Sequence, residues 1–314
     1  MTIAIDLQSL RTDISSLQRA ILETLAYSDV FNYPLTLDEL HRFLTISASV
    51  EELRSCLNEF DQVESKDGYY FLRGRAEIVF LRLKHEDISR RAFNRALRYG
   101  RILGMLPFIR MVALTGSLAV HNCDKSGDYD YMLVAKTGRV WLARAFALIL
   151  NRIAHIFGET ICPNLIVSEE ALRWNAQNMY FARELCQMIL IRGQKTVCFH
   201  LRAANLWVID YLPNFRCTTY QSVEDANRLM VGIRSFLEFL LENKLGDWLE
   251  AWEMNRKVAR FTRQEGFGTE TNFNADICQG NFDHHGLSTL EKYGERLTKL
   301  DLNYVPTVAL AGDD

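Results

Sequence analysis

Proline is scarce in this chain, five residues in 314, and glycine numbers only seventeen. That scarcity excludes collagen-like and low-complexity architectures. The seven cysteines (Cys56, Cys123, Cys162, Cys186, Cys198, Cys217 and Cys278) are odd in number, and no two have CxxC spacing. Neither a disulfide framework nor a thiolate zinc site is expected from them. No run approaches the roughly eighteen apolar residues of a membrane span. The nearest, residues 141–156, is broken by Arg144, Asn151, Arg152 and His155. The first sixteen residues lack a basic start followed by an apolar stretch, so the expectation is a cytoplasmic protein with reduced thiols. A net charge of −3 excludes a uniformly basic sheath for nucleic acid. What is plentiful is core material. Hydrophobic residues make up 48% and charged residues 24%, which excludes disorder as the main state, and the length favours two or three domains.

Three segments follow from the patterning. Leu17, Ile21, Leu22 and Leu25 fall at helical spacing. Thr36 with Glu39, and Ser49 with Glu52, read as capping boxes that open two more helices. Residues 63–72 hold two β-prone runs around Lys66-Asp67-Gly68, a hairpin signal. Three short helices and a hairpin resemble a winged helix-turn-helix over about residues 15–75. The stripe Trp207, Tyr211 and Phe215 reads as core. Long helices are expected over 76–106, 139–157, 179–191, 223–245, 248–263 and 287–300, short strands over 111–115, 129–135 and 160–167, and an irregular stretch over 273–285. The domains expected are 1–75, 76–215 and 216–314.

The informative stretch is residues 114–134. A strand ends in Gly116-Ser117, where glycine permits close backbone approach and the following helix offers free N–H groups to phosphate. Asp128 and Asp130 come next, and strand alternation places residues i and i+2 on one face. Two carboxylates held close repel unless a cation lies between them, which makes the pair a magnesium site, with manganese as an alternative.

These four residues resemble the signature of the nucleotidyltransferase superfamily of DNA polymerase β type, in its minimal, kanamycin-nucleotidyltransferase-like branch. That signature is Gly-Ser, a short helix, then Asp-x-Asp on the next strand. The resemblance implies an α+β fold: a small nucleotidyltransferase sheet with flanking helices, an N-terminal winged helix and a helical C-terminal region. It also implies transfer of a nucleoside monophosphate from a nucleoside triphosphate such as ATP onto an acceptor, here unknown, with Mg2+ held by Asp128 and Asp130 and phosphates at Gly116 and Ser117. One departure concerns the third carboxylate of the family. By position Asn164 occupies its place, and an amide cannot act as a base. Glu184 on the next helix and Glu159 at the strand entrance are the alternatives, though each also reads as an ordinary charge. His121 and Gly127 stand where the family more often has Gly and Ser. The alternative to an enzyme is a catalytically weakened nucleotide-binding regulator whose winged helix binds DNA or a protein partner.

Other features read as structural. Asp283, His284 and His285, with Asp276, read as a polar loop rather than a metal site, since adjacent histidines diverge on most backbones. Arg256, Lys257, Arg260 and Arg263 read as a solvated helix face. Between residues 66 and 110 there are eleven Lys or Arg and four Asp or Glu, including Arg90, Arg91, Arg95 and Arg98, an excess that suits either phosphates or a solvated face. The third helix carries Arg54 against Glu51, Glu52 and Glu59, which counts against its entry into a DNA groove.

Overall fold

Serine and threonine hydroxyls start the first three helices. In the computed structural model, which describes residues 14–124, 128–216 and 228–303, α1 (Ser16–Asp29) is capped by Ser15 with Gln18 reciprocating. After β1 (Leu35–Thr36) come α2 (Leu37–Arg42) and α3 (Val50–Asn58), each opened by the capping box expected, Thr36 with Glu39 and Ser49 with Glu52. The hairpin follows as β2 (Val63–Lys66) and β3 (Tyr69–Leu72). Its two-residue loop, Asp67-Gly68, has φ of +53° and +83°, the paired positive values of a tight hairpin turn. The three strands form an antiparallel sheet in the order β1-β3-β2.

A long helix, α4 (Glu77–Leu103), leads to the second sheet. Its elements in chain order are β4 (Ile109–Leu114), α5 (Gly116–Ala119), β5 (Tyr129–Ala135), α6 (Val140–Ile156), β6 (Ile161–Ser168), α7 (Met179–Gln187) and β7 (Ile189–Gly193). Then come α8 (Lys195–Ala204), α9 (Val208–Tyr211), α10 (Arg228–Leu241), α11 (Lys244–Phe261), β8 (Thr271–Phe273), β9 (Ile277–Gly280) and α12 (His285–Lys299). The strand order is β7-β4-β5-β6-β9-β8. β5 and β6 run parallel, joined by α6 as the crossover such a pair requires, and the other four pairs are antiparallel. The chain is therefore α+β.

Two stretches differ from expectation. Residues 179–191 were expected to be one helix, but α7 stops at Gln187 and Ile189-Leu190-Ile191 begins an edge strand against β4. The β-branched run favours a strand once a partner edge is present, and that partner lies about eighty residues upstream. Residues 273–285 were expected to be irregular, yet Ile277–Gly280 pairs with β6 and Thr271–Phe273 with β9. The last third of the chain thus supplies two strands as well as helices. Gly127, Cys217 and the start of the helix expected at 223 lie outside the described residues.

Alternation along β5 sorts the core. Tyr129, Tyr131, Leu133 and Ala135 pack with α4 and α6. Met132 and Val134 point the other way, toward Leu165 and Val167 of β6 and Val197 and Leu201 of α8. A separate apolar cluster ties the N-terminal unit to the rest. Ile21, Leu22, Leu25, Leu40 and Leu53 are buried together with Ala182 and Cys186 of α7, Val208 of α9, and Tyr293 and Leu297 of α12. Trp207, Tyr211 and Phe215 pack against this cluster as core, as expected.

Candidate active site

β4 ends at Leu114, and the Thr115 N–H donates to the Asp130 carbonyl at 2.9 Å, which keeps the turn against β5. Gly116 then adopts φ of +66°, a conformation natural to glycine. A Cβ built there would lie 2.5 Å from Oδ2 of Asp130, so any side chain would drive into that carboxylate. The sequence pair Gly116 and Asp130 is therefore one steric unit.

The neighbouring strand adds Asn164. The β5–β6 register pairs Asp130 with Cys162 and Met132 with Leu165, so β6 carries one extra residue between them. Asn164 falls in this irregularity and its Nδ2 donates to Asp130 Oδ1 at 2.7 Å. The amide thus stands beside Asp130, as a donor that orients its carboxylate. Burial pushes the Asp130 carboxyl up to about 6; the Asn164 hydrogen bond opposes that rise and the charge of Asp128 adds to it. Burial, with the charges of Asp130 and Asp128 behind it, pushes the Cys162 thiol up to about 12, so this sulfur stays protonated.

Asp128, exposed just before β5, lines the same cavity as Asp130, Gly116 and Ser117. Its volume is about 590 Å3. Glu184 enters it from α7, with its carboxyl pushed up to about 7 by burial and by the charge of Asp130, against the opposing charge of Arg183. Burial also raises the Tyr180 phenol, and the charge of Glu184 adds to this. Two desolvated carboxylates thus face one space with no cationic side chain in ion-pair contact among the described residues. Also among the described residues, no three His, Cys, Asp or Glu side chains form a ready-made metal cluster.

The remaining candidates separate clearly. Glu159 is engaged elsewhere, accepting from the Tyr129 hydroxyl and pairing with Arg95 at 3.1 Å, and it does not line the cavity. Asp283 and His285 stand at the cavity wall, both exposed, 3.6 Å apart. His284 is the αL residue that precedes α12, and Asp276 lies away from the cavity. Arg256 and Lys257 turn to Glu253, Arg260 is exposed on the helix, and Arg263 is exposed in the turn just after α11 ends at Phe261. On α4, Arg91 pairs with Asp87 and Arg90 and Arg98 are exposed.

Sequence reasoning missed the wall contributed by the N-terminal unit. Tyr27, Ser28, Phe31 and Tyr33 line the same cavity. It also missed Arg183, a buried guanidinium held 3.7 Å above the Phe43 ring and 4.9 Å from the Tyr27 ring, with Nη2 donating to Ser28 Oγ at 3.0 Å. The aromatic spacing of Tyr27, Phe31 and Tyr33 at the end of α1 is the one sequence signal that points there. Comparison with protein-family models, with curated proteins and with solved structures finds no match for this chain.

Proposed function

We propose that the chain is a magnesium-dependent nucleotidyltransferase that moves a nucleoside monophosphate from a nucleoside triphosphate onto an acceptor hydroxyl. The observation that carries this reading is the convergence of Gly116, Ser117, Asp128, Asp130 and Glu184 on one cavity, with Gly116 in steric register with the Asp130 carboxylate.

The donor set fits the metal. Asp128 and Asp130 offer hard carboxylate oxygens, and magnesium is usually held by one or two carboxylates together with substrate phosphates rather than by a complete protein cage. The raised carboxyl of Asp130 fits a site that awaits positive charge. When bound there, the ion supplies charge neutralisation for the triphosphate and for the transition state of phosphoryl transfer. The chain's own groups do the rest. The turn at Gly116 and Ser117 lines the cavity beside Asp130, where it would meet the triphosphate. Asn164 fixes the Asp130 carboxylate by its 2.7 Å hydrogen bond. Glu184, with a carboxyl near 7, is matched to take a proton from an acceptor hydroxyl at neutral pH. Tyr27, Phe31 and Tyr33 add aromatic surface to the wall of the same cavity.

The alternative, a nucleotide-binding regulator without turnover, is favoured by one observation. Asn164 stands where the resemblance expects a carboxylate, and it serves Asp130 as a hydrogen-bond donor. The presence of Glu184 in the same cavity weighs against it. Incubation of the full chain with each α-labelled nucleoside triphosphate and magnesium, with pyrophosphate release and label transfer measured, tests the choice. Release that is lost in Glu184→Gln supports the enzyme. Tight Mg·nucleotide binding without release, unchanged by Glu184→Gln, supports the regulator.

A further inference from the structure

A second cavity, about 500 Å3 in volume, adjoins the first and shares Leu165, Trp174, Phe181 and Gln279 with it. The size lies within the roughly 300–1,000 Å3 of typical small-molecule sites. We propose that this cavity binds the acceptor, and that the acceptor is an uncharged molecule with a largely apolar or aromatic body and a hydroxyl; the acceptor role rests on the nucleotidyltransferase reading above.

The sheet makes the two cavities one continuous floor. The register pairs Met132 with Leu165, Leu165 with Gln279, and Val167 with Ile277. Strand alternation therefore carries a single face from Asp130 across β6 to β9. Helices α7 and α12 stand over that face, with Phe181 and Leu290 lining the second cavity and Glu184 and Thr289 the first.

The order across the sheet assigns the role. The Gly116 turn follows β4, Asp130 lies on β5, and the second cavity is floored by β6 and β9. Displacement at phosphorus is in line, with the attacking oxygen opposite the leaving group. If the turn holds the terminal phosphates that leave, the attacking hydroxyl comes from the opposite side, where the second cavity opens. The acceptor oxygen bonds to the α-phosphorus as the bridging α–β P–O bond breaks. The bond pair departs with pyrophosphate, and the hydroxyl proton passes to Glu184.

The lining sets the class. Val167, Trp174, Phe181, Ile277, Leu287 and Leu290 give the walls an apolar character. Glu270 is at the wall, but its carboxylate is committed to helix α12, accepting from the N–H groups of Gly286 at 3.1 Å and Leu287 at 2.7 Å and from Asn281 at 2.6 Å. The other two charged residues, Arg173 and Glu291, are exposed, opposite in sign and at the rim. Among the described residues, nothing inside is left to neutralise a polycation or an anion. Asn175, Gln177 and Asn272 supply hydrogen bonds for polar edges.

The test uses the full chain and three probes: 2-naphthylmethanol as an uncharged aromatic alcohol, spermine as a polycation, and adenosine as a free nucleoside. Binding is followed by saturation-transfer NMR and calorimetry, alongside Mg·ATP titrations. Leu287 is 46% exposed at the cavity mouth, so Leu287→Trp narrows the entrance without burying new bulk in the core. Ala176→Phe is the second blocking variant. The expected result is that naphthylmethanol binds the wild type, and that both variants weaken it about tenfold or more while Mg·ATP affinity holds. Absence of naphthylmethanol binding, equal binding to the blocked variants, a preference for spermine, or displacement by adenosine each overturns the proposal. If Asp130→Asn leaves Mg·ATP affinity intact while Leu287→Trp still blocks naphthylmethanol, the nucleotidyltransferase reading fails. The acceptor role then falls with it, and the cavity stands as a ligand site of the class named.

Discussion

At Asn164 one side chain decides between orientation and repulsion. Its amide hydrogen faces Asp130 Oδ1 at 2.7 Å, so Asn164→Asp replaces a donor by a second negative charge at hydrogen-bond distance. We expect Asn164→Asp to lose about 1–3 kcal/mol of stability in metal-free buffer and to regain most of it in millimolar magnesium, read by thermal unfolding with and without chelator. An equal loss with and without magnesium would show that no cation binds between these groups. Glu184 gives a second, pH-dependent expectation. Its carboxyl is raised from 4.5 to about 7, chiefly by burial. Between those values the folded chain holds a proton that the unfolded chain has released, so stability is greatest below about 4.5 and falls as pH rises toward 7. Glu184→Gln removes the part of that slope between about 6 and 7, because a neutral amide has no proton to lose, and leaves the part below about 6 that the raised Asp130 carboxyl contributes. Turnover runs the other way: a base works only when deprotonated, so rate rises through pH 7 in the wild type and is lost in Glu184→Gln. A variant that keeps the wild-type pH profile of both stability and rate would remove Glu184 from the site.

Elements that carry their own local signal were legible; those defined by distant partners were not. Both capping boxes and the Asp67-Gly68 hairpin read directly from sequence because their hydrogen bonds close within a few residues. The strand from Tyr129 to Ala135 read correctly because it is a short apolar run, broken only by Asp130, that is buried on both faces. β7 and β9 did not, since each is short and gains its identity only by pairing with β4 or β6. The same division runs through the site. Gly116, Ser117, Asp128 and Asp130 share one local motif, whereas Glu184 comes from a helix some fifty residues on and could be named only as one of several charges. Glu250 was not legible at all. From α11 it accepts the N–H groups of Trp141 at 2.7 Å and Leu142 at 2.8 Å, so a carboxylate caps the first turn of α6 from another helix. Removing it strands two buried donors at the helix that links the parallel strands. Glu250→Ala is therefore expected to cost about 2–4 kcal/mol, measured by chemical denaturation, while Glu250→Gln, which keeps an acceptor oxygen, loses less. A loss below about 0.5 kcal/mol for Glu250→Ala would mean that water replaces the carboxylate.

Across the whole molecule, the N-terminal unit is built into the same body as the helices that pack on the second sheet. Ile21, Leu22 and Leu25 of α1 share a core with α7, α9 and α12, and Tyr27, Ser28, Phe31 and Tyr33 of the same unit wall the cavity. Polar bonds follow the same seam. Arg82 of α4 stacks 3.9 Å from the Tyr33 ring and donates to Glu39 at 3.0 Å and Glu86 at 2.5 Å, while Tyr33 Oη donates to the Val120 carbonyl at 2.8 Å, just after the Gly-Ser turn. Arg296 of α12 reaches Asp29 at 2.7 Å. A unit so joined keeps only a small core of its own, Tyr69, Phe71, Ile78 and Val79, beside the larger shared one. Thermal unfolding of the full chain is expected to show one cooperative transition, with calorimetric and van't Hoff enthalpies in agreement, rather than an early transition for residues 15–75 followed by a later one. Leu297→Asp makes the point at a single position. The residue is 2% exposed on α12 within the shared cluster, so a buried charge there should lower the whole transition together, and Mg·ATP binding should disappear with it instead of outlasting the N-terminal unit. Two resolved transitions in the wild type, or retained Mg·ATP binding after the N-terminal unit of Leu297→Asp has melted, would show that the sheet and its carboxylates stand without the helices that cover them.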